Sequence, residues 1–138
     1  MGEVNGVRFI NDTRATHPAA VLYALEKFEK PILILGGKDK GFGGEVEKLA
    51  KKIEKQKIHT ILLIPGSFSD RMITVWSDDF RKKYLFPVGS MEDAVNKAYS
   101  LSKKGDTILL SPGGSSFDLF INEFDRGDKF IKEIRRLK

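Results

Sequence analysis

Most of this chain consists of short apolar runs separated by longer stretches with the periodicity of an amphipathic helix. Three of the runs, residues 32–35, Thr60–Ile64 and 107–110, contain almost only Ile and Leu. Such a run is typical of a strand that is buried on both faces of a parallel sheet. A further strand is predicted over residues 4–12, where it begins with the turn-like pair Asn5-Gly6, and another over residues 84–88, where Pro87 suits the edge of a sheet or the end of a strand.

The stretches between these strands predict helices. Pro18 suits the first position of a helix, with His17 or Thr16 as its cap. Ser90 and Asp93 have the spacing of a capping box, so another helix begins after Ser90. Helices are predicted over about residues 18–29, 44–57 and 67–77, from residue 91 onward, and as a kinked or broken segment over residues 117–124 and 127–137.

The alternation of strands and helices determines the fold class. Repeated strand–helix units form parallel strands with right-handed crossovers, and the helices cover both faces of the sheet. We therefore predict an α/β fold of the Rossmann-like three-layer αβα type, with a mostly parallel sheet of about five to six strands. The sequence contains no linker, internal repeat or low-complexity stretch, so residues 1–138 are expected to form a single domain.

The composition is ordinary for a soluble globular protein. Of the 138 residues, 41% are hydrophobic and 31% are charged. No apolar run approaches the roughly 20 residues of a membrane span, and no signal-peptide pattern opens the chain, so a cytoplasmic location is expected. The absence of cysteine excludes disulfides and thiolate metal sites.

The net charge of +5 raises the question of nucleic-acid binding. Most of the basic residues lie at solvent-facing positions of the predicted helices, and acidic residues are interleaved with them. This arrangement is typical of a solvated, ion-paired surface rather than of a stripe that follows phosphates. A basic nucleic-acid-binding domain is therefore the less favoured alternative.

Glycine-rich polar segments follow two of the buried strands. Residues 36–41 read Gly-Gly-Lys-Asp-Lys-Gly, and residues 111–118 read Ser-Pro-Gly-Gly-Ser-Ser-Phe-Asp. In an open α/β sheet, ligands bind at the carboxyl ends of the strands, and paired glycines let the backbone approach a ligand closely. Two such loops, one with lysines and the other with serines, suit a small carboxylate or phosphate compound.

Both loops also have a purely structural interpretation. Residues 36–41 form neither a Walker A loop nor a dinucleotide-binding loop, and the lysines of a flexible turn can be merely solvated. Lys40, however, is flanked by glycine and follows a buried strand, which suits a group that binds a carboxylate. Ser115 and Asp118 have capping-box spacing, while the same loop offers amides and hydroxyls to an anion.

A third candidate segment, residues 11–18, joins the first long strand to the first helix and reads Asn-Asp-Thr-Arg-Ala-Thr-His-Pro. Capping of the helix explains Thr16 and can explain Asp12. It does not explain Arg14, a long cation at the carboxyl end of a strand, where ligands bind. The residues alone leave capping and ligand binding open.

The three loops together resemble the motifs of one enzyme family. Residues 11–18 resemble the Asn-Asp-Ser-Lys-Ala-Thr-Asn-Pro motif of the D-glutamate-adding Mur ligases. Residues 36–41 and 111–118, with Phe120 and Arg126-Gly127 beyond them, match later motifs of that family in order and spacing. The resemblance covers essentially the whole chain, but only the C-terminal third of such an enzyme. It implies that the N-terminal UDP-binding domain and the central ATPase domain are absent from this chain.

The resemblance implies an amide-forming ligase of peptidoglycan synthesis. In that family ATP phosphorylates the carboxylate of UDP-N-acetylmuramoyl-L-alanine, and the amine of D-glutamate attacks the acyl phosphate. ATP and Mg²⁺ would be bound mainly by the central domain of the same polypeptide. The isolated domain is expected to be inactive and the protein monomeric, with neither nucleic acid nor a membrane as a partner.

Transferred position by position, the resemblance also implies roles for individual residues. Contact with the nucleotide falls to Asp12 and Arg14. The D-glutamate pocket is lined by Thr16, Lys40, Ser116 and Phe117. No metal ligand and no certain catalytic residue is implied in this domain.

The sequence departs from the family motifs at three places. Arg14 replaces a lysine, and His17 replaces an asparagine. The family has an aromatic residue after the position of Asn122, where this chain has Glu123, with Phe124 one place later. These departures bear on the detailed amino-acid pocket and not on the ligase class. A stand-alone Rossmann-like module that binds a small anion would keep the same loops without a partner domain, and it is the main alternative.

Overall fold

A computed structural model of the chain describes residues 2–115 and 120–137. Within these residues, six strands form one sheet, and six helices surround it. The strands are β1 (Gly2–Val4), β2 (Val7–Asn11), β3 (Ile32–Gly36), β4 (Thr60–Ile64), β5 (Leu85–Pro87) and β6 (Thr107–Gly113). The helices are α1 (Pro18–Lys27), α2 (Glu45–Lys55), α3 (Ser67–Val75), α4 (Asp78–Tyr84), α5 (Met91–Leu101) and α6 (Glu123–Arg136). The predicted α/β class is confirmed.

The order of the strands across the sheet is β1-β2-β6-β3-β4-β5. All neighbouring strands are parallel except β1 and β2, which form an antiparallel hairpin. Asn5 and Gly6 form the turn of this hairpin with φ values of 50° and 82°, as a primed two-residue turn requires. The proline-containing strand β5 lies at the edge of the sheet, as predicted. The last strand, β6, lies between β2 and β3.

Alternating residues of the central strands pack against helices on opposite faces. Ile32 and Ile34 of β3 belong to an apolar cluster with residues of α5 and α6. Leu33 and Leu35 belong to a second cluster with residues of α1, α2 and α3. Every residue of β3 and β4 is buried, which agrees with strands covered on both faces. No helix in the described part of the chain is long and apolar enough to cross a membrane.

Two helices differ from the sequence-based predictions. The sequence patterns do not predict helix α4, because it has only seven residues and most of them are charged. Ser77 caps this helix by accepting a hydrogen bond from the amide of Phe80. Helix α6 is continuous from Glu123 to Arg136, so the predicted break between residues 124 and 127 is wrong. Gly127 has no Cβ atom, so the helix packs closely against the loop after β2. This close packing is the reason for a glycine inside α6.

The predicted caps have mixed outcomes. The Ser90 side chain accepts a hydrogen bond from the amide of Asp93, as the capping-box spacing predicts. His17 is the N-cap of α1, but its side chain makes no capping hydrogen bond. Asp118, the predicted partner of Ser115, lies outside the described residues. In the described part, the helix that follows β6 is capped by Asn122, whose side chain accepts from the amide of Asp125 at 2.8 Å.

Candidate functional site at the carboxyl edge of the sheet

Three loops that the sequence singles out follow three neighbouring strands. Strands β2, β6 and β3 are adjacent and parallel, so their carboxyl ends lie along one edge of the sheet. The loops that begin after Asn11, Gly36 and Gly113 therefore leave the sheet side by side. Ligands bind at this edge in open α/β folds. The sequence motifs are thus brought together by the strand order.

Hydrogen bonds join the loop after β2 to the end of β6. The Ser111 hydroxyl donates to the Asp12 carboxylate at 3.0 Å, and the amide of Asp12 donates to the carbonyl of Leu110 at 2.8 Å. The amide of Gly113 donates to the carbonyl of Ala15 at 2.7 Å. Asp12 is half-buried, and Ser111 is fully buried. The backbone on both sides of Arg14 is therefore held against β6.

The glycine loop after β3 pairs with the loop after β6. The amide of Lys38 donates to the carbonyl of Ser115 at 2.9 Å, and the amide of Ser115 donates back to the carbonyl of Lys38 at 2.8 Å. Gly37 has a φ of 135°, and a Cβ atom there would lie 2.4 Å from the carbonyl oxygen of Ser115. Only glycine fits this conformation and this approach without displacing backbone. The second glycine of the Gly-Gly pair is thus required by the packing of two loops.

Arg126 of α6 connects the loop after β2 with the loop after β6. Its guanidinium donates to the Thr13 hydroxyl at 3.0 Å, to the Thr13 carbonyl at 2.6 Å and to the Gly114 carbonyl at 3.0 Å. The residue is 1% exposed, and burial lowers its pKa to about 10. It therefore carries its charge at neutral pH while it is enclosed by protein.

Gly127 explains how α6 comes close enough for these contacts. A Cβ atom on Gly127 would lie 2.7 Å from the Thr13 side chain. The Thr13 hydroxyl also donates to the carbonyl of Glu123 at 2.7 Å. The first turn of α6 and the loop after β2 consequently form one hydrogen-bonded unit.

The residues with implied ligand contacts lie on this edge where the structure describes them. Arg14 and Lys40 are exposed, and Thr16 is half-buried like Asp12. The Arg14 guanidinium lies over the ring of Phe124, 5.8 Å from its centroid, which is a cation–π arrangement. The other two implied D-glutamate contacts, Ser116 and Phe117, lie outside the described residues.

Comparison with known proteins identifies the family. The sequence profile described as "Mur ligase, glutamate ligase domain" matches residues 1–114. The chain belongs to this Mur ligase family. Proteins named UDP-N-acetylmuramoylalanine–D-glutamate ligase are similar to it over nearly all of its length: 36% identical in Caldanaerobacter subterraneus subsp. tengcongensis, 39% in Thermosipho melanesiensis and 40% in Bacteroides thetaiotaomicron. The matches cover 99–100% of this chain but only 30% of each relative.

Sequence reasoning missed one polar cluster of this Mur ligase domain. Arg71 of α3 donates to the Asp39 carboxylate at 2.5 Å, to the Gly43 carbonyl at 2.6 Å and to both oxygens of the Glu47 carboxylate, the shorter contact being 2.6 Å. The Asp39 carboxylate also accepts from the amides of Gly41 and Phe42. Arg71 lies in a helix predicted from a weak pattern, and nothing in the local sequence indicates contacts with residues 24–32 positions away.

The Arg71 cluster changes the pKa of both carboxyl groups. Partial burial raises the pKa of Asp39, but the hydrogen bonds from Arg71 and from the two loop amides outweigh it, and the pKa is lowered. The hydrogen bond from Arg71 lowers the pKa of Glu47. The hydrogen bonds to Asp39 and Glu47 in turn raise the pKa of Arg71. All three groups are therefore charged at neutral pH.

The contribution of the Arg71 cluster to the stability of the Mur ligase domain is expected to disappear in acid. Because the pKa values of Asp39 and Glu47 are lower in the folded than in the unfolded chain, the contribution is fully present above their ordinary values of 3.8 and 4.5. It is lost as the pH falls through the lowered folded values. Because the ion pairs lie close to solvent, the effect should be small: melting curves between about pH 7 and pH 3 should show a slightly shallower acid decline for Arg71→Gln than for the wild type. Parallel declines would contradict this expectation.

The described residues contain no group of three or more His, Cys, Asp or Glu side chains that could hold a metal ion. At the carboxyl edge of this Mur ligase domain, Arg14 and Lys40 are exposed, and the carboxylates of Asp12 and Asp39 are half-buried. Exposed cationic side chains suit negatively charged oxygen ligands such as carboxylates and phosphates.

Proposed function

We propose that this chain is the amino-acid-binding domain of an ATP-dependent ligase that adds D-glutamate to UDP-N-acetylmuramoyl-L-alanine in peptidoglycan synthesis. The observation that carries the proposal is the direct hydrogen bonding between loops that hold all three D-glutamate-ligase motifs, through Asp12–Ser111 and Lys38–Ser115. The names of the similar proteins support the same reaction. In the proposed reaction, ATP converts the substrate carboxylate into an acyl phosphate, and the amine of D-glutamate displaces the phosphate.

The amino-acid side of the proposed site lies at the loops after β3 and β6. D-Glutamate carries two carboxylates, and the exposed ammonium of Lys40 is suited to bind one of them as a compact positive charge. Thr16 offers a hydroxyl from the adjoining loop, and Ser116 and Phe117 are assigned to the same pocket by the family motif. Binding in this pocket would orient the amine toward the acyl phosphate, which is how a substrate-positioning domain accelerates a reaction.

The nucleotide side of the proposed site lies at the loop after β2. Ser111 donates to Oδ2 of Asp12, so the second carboxylate oxygen is suited to accept a hydrogen bond from a ribose hydroxyl. The exposed guanidinium of Arg14 suits a phosphate oxygen. ATP and Mg²⁺ are assigned mainly to a central domain of the same polypeptide. We propose further that the enzyme acts as a monomer in the cytoplasm.

The proposal is tested with the full-length polypeptide that contains this chain. Phosphate release from ATP should require UDP-N-acetylmuramoyl-L-alanine together with D-glutamate. L-Glutamate, which differs from D-glutamate only in configuration, and D-glutamine, whose side chain lacks the negative charge, serve as matched controls. Release that is equally fast with either control, or that does not depend on an amino acid, would contradict the assignment. A stand-alone anion-binding module would show no release under any of these conditions.

The 138-residue chain by itself is expected to fold but to release no phosphate from ATP. Its sheet and both apolar clusters are complete within the described residues, so folding does not need another domain. Phosphoryl transfer, in contrast, needs a phosphate-binding loop and metal ligands, which the sequence motifs of this chain do not supply. Circular dichroism and a phosphate-release assay on the purified chain check both statements. ATP-dependent release by the chain alone would overturn the division of roles between domains.

A further inference from the structure

The loop that carries Lys40 needs an external support. Gly36 at the end of β3 and three glycines of the loop, Gly37, Gly41 and Gly43, have positive φ values of 124°, 135°, 82° and 62°. Glycine-rich backbone loses more conformational entropy on ordering than other sequences do. A loop with this composition is therefore poorly suited to hold a ligand-binding ammonium in one place unless other residues hold the backbone.

Helix α3 provides that support from its first turn. The amide of Phe68 donates to the carbonyl of Gly37 at 3.0 Å, and the amide of Gly37 donates to the Ser69 hydroxyl at 3.1 Å. The amide of Asp39 donates to the Ser67 hydroxyl at 2.9 Å. These contacts hold the loop up to Asp39, one residue before Lys40.

Arg71 holds the loop on the other side of Lys40. Its contact with the Gly43 carbonyl lies three residues after Lys40, and its contact with Asp39 lies one residue before it. The Asp39 carboxylate joins the two sides, because its Oδ1 accepts from the amides of Gly41 and Phe42 at 3.0 Å and 3.2 Å. The Asp39 carboxylate and the Arg71 guanidinium thus hold the backbone on both sides of Lys40.

We propose that Arg71 is a positioning residue for amino-acid binding: it orders residues 39–43 and so sets the place from which Lys40 meets the substrate carboxylate. This inference rests on the proposed function, because it takes D-glutamate as the ligand of Lys40. Arginine suits the task better than lysine, since its planar group reaches Asp39, Gly43 and Glu47 at the same time. Glu47 on α2 anchors the guanidinium and thereby connects the loop to a second helix.

Arg71 lies close to solvent, so its loss should affect the order of the loop more than the stability of the whole fold. The side chain of Arg71 is 32% exposed, and its partners Asp39 and Glu47 are 17% and 38% exposed. Ion pairs this close to solvent contribute little to the overall stability of a protein. The effect of losing Arg71 should therefore appear mainly in the loop and in substrate binding.

The test compares Arg71→Ala, Arg71→Lys and a control, Arg136→Ala, in the full-length polypeptide. Arg136 is a matched surface arginine, since it also lies near two carboxylates, those of Glu92 and Glu133, at 3.5 Å. Arg71→Ala should raise the KM for D-glutamate about tenfold, with a smaller change in kcat and an unchanged KM for ATP. Arg71→Lys should restore part of the loss, and Arg136→Ala should behave like the wild type.

Hydrogen exchange on the same variants reports the loop directly. The amides of Gly41 and Phe42 should exchange faster in Arg71→Ala than in the wild type and the control, because the carboxylate that protects them is no longer fixed. Unchanged exchange would overturn the proposal whatever the kinetics show. Faster exchange with a normal KM for D-glutamate would overturn it as well, since the order of the loop would then not serve binding.

Failure of the proposed function looks different from failure of this inference. If the wild-type polypeptide does not use D-glutamate, the proposed function and with it the role of Arg71 in binding are both wrong. If the wild type uses D-glutamate and Arg71→Ala melts at a lower temperature with normal kinetics, only the role of Arg71 is wrong. A raised KM, faster loop exchange and rescue by lysine together support the inference.

Discussion

Arg126→Met is expected to destabilise the 138-residue chain by about 3 kcal/mol or more, which lowers the melting temperature by roughly 10 °C. Methionine fills much of the same volume, so the loss reports the hydrogen bonds rather than a cavity. The carbonyls of Thr13 and Gly114 would lose their buried donor, and each orphaned group costs about 1–3 kcal/mol. Relief from burying a charge offsets part of this cost. Thermal unfolding followed by circular dichroism measures the result.

Two further variants show whether the guanidinium itself is responsible. Arg135→Met removes an exposed arginine from the same helix and should leave the melting temperature within about 2 °C of the wild type. Arg126→Lys keeps the charge but cannot reach both loops with a planar group, so it should resemble Arg126→Met. If Arg126→Met melts like the wild type, the three hydrogen bonds of Arg126 do not hold the loops together.

Lys40→Ala is expected to reduce kcat/KM for D-glutamate by roughly ten- to more than hundred-fold in the full-length polypeptide. The reason is the loss of a charged hydrogen bond to a substrate carboxylate, which is worth about 1.5–3 kcal/mol. Initial rates over a series of D-glutamate concentrations, at saturating ATP and UDP-N-acetylmuramoyl-L-alanine, measure the effect. Most of the loss should appear as a higher KM for D-glutamate.

Lys48→Ala is the matched control for Lys40. Lys48 is an exposed lysine on α2, so its removal changes the net charge equally without touching the loop. Normal kinetics in Lys48→Ala together with a large loss in Lys40→Ala would separate a specific contact from a general effect of charge. Wild-type kinetics in Lys40→Ala would mean that this lysine is merely a solvated loop residue.

Local patterns were sufficient to predict most of the fold. The apolar runs at β3, β4 and β6 form buried strands, since a sheet covered on both faces buries every successive Ile and Leu side chain. In α2, Val46, Leu49 and Ile53 lie at helical spacing, so a helix places all three side chains on one buried face. Helix α4 escaped prediction because a short charged segment has no such stripe, and only Phe80 is buried.

Local sequence patterns do not predict the strand order or the hydrogen bonds of Arg126 and Arg71 that hold the loops of the site. Hydrogen bonds of Arg126 reach Thr13, 113 residues away, and those of Arg71 reach Asp39, 32 residues away. Such contacts depend on how whole helices pack and leave no periodic signal. The motifs pointed to the edge of the sheet where Asp12, Arg14, Thr16 and Lys40 lie, and their individual roles stay predictions.

The central place of β6 has a consequence for how the protein is made. Strand β6 pairs with β2 on one side and with β3 on the other, and its Ser111 is 99 residues from its partner Asp12. During synthesis from the N-terminus, β2 and β3 emerge early and each keeps an unpaired backbone edge until β6 arrives. Exposed strand edges readily pair with other chains, and late long-range pairing slows folding. Until β6 has left the ribosome, the nascent chain therefore carries two unpaired strand edges that favour aggregation.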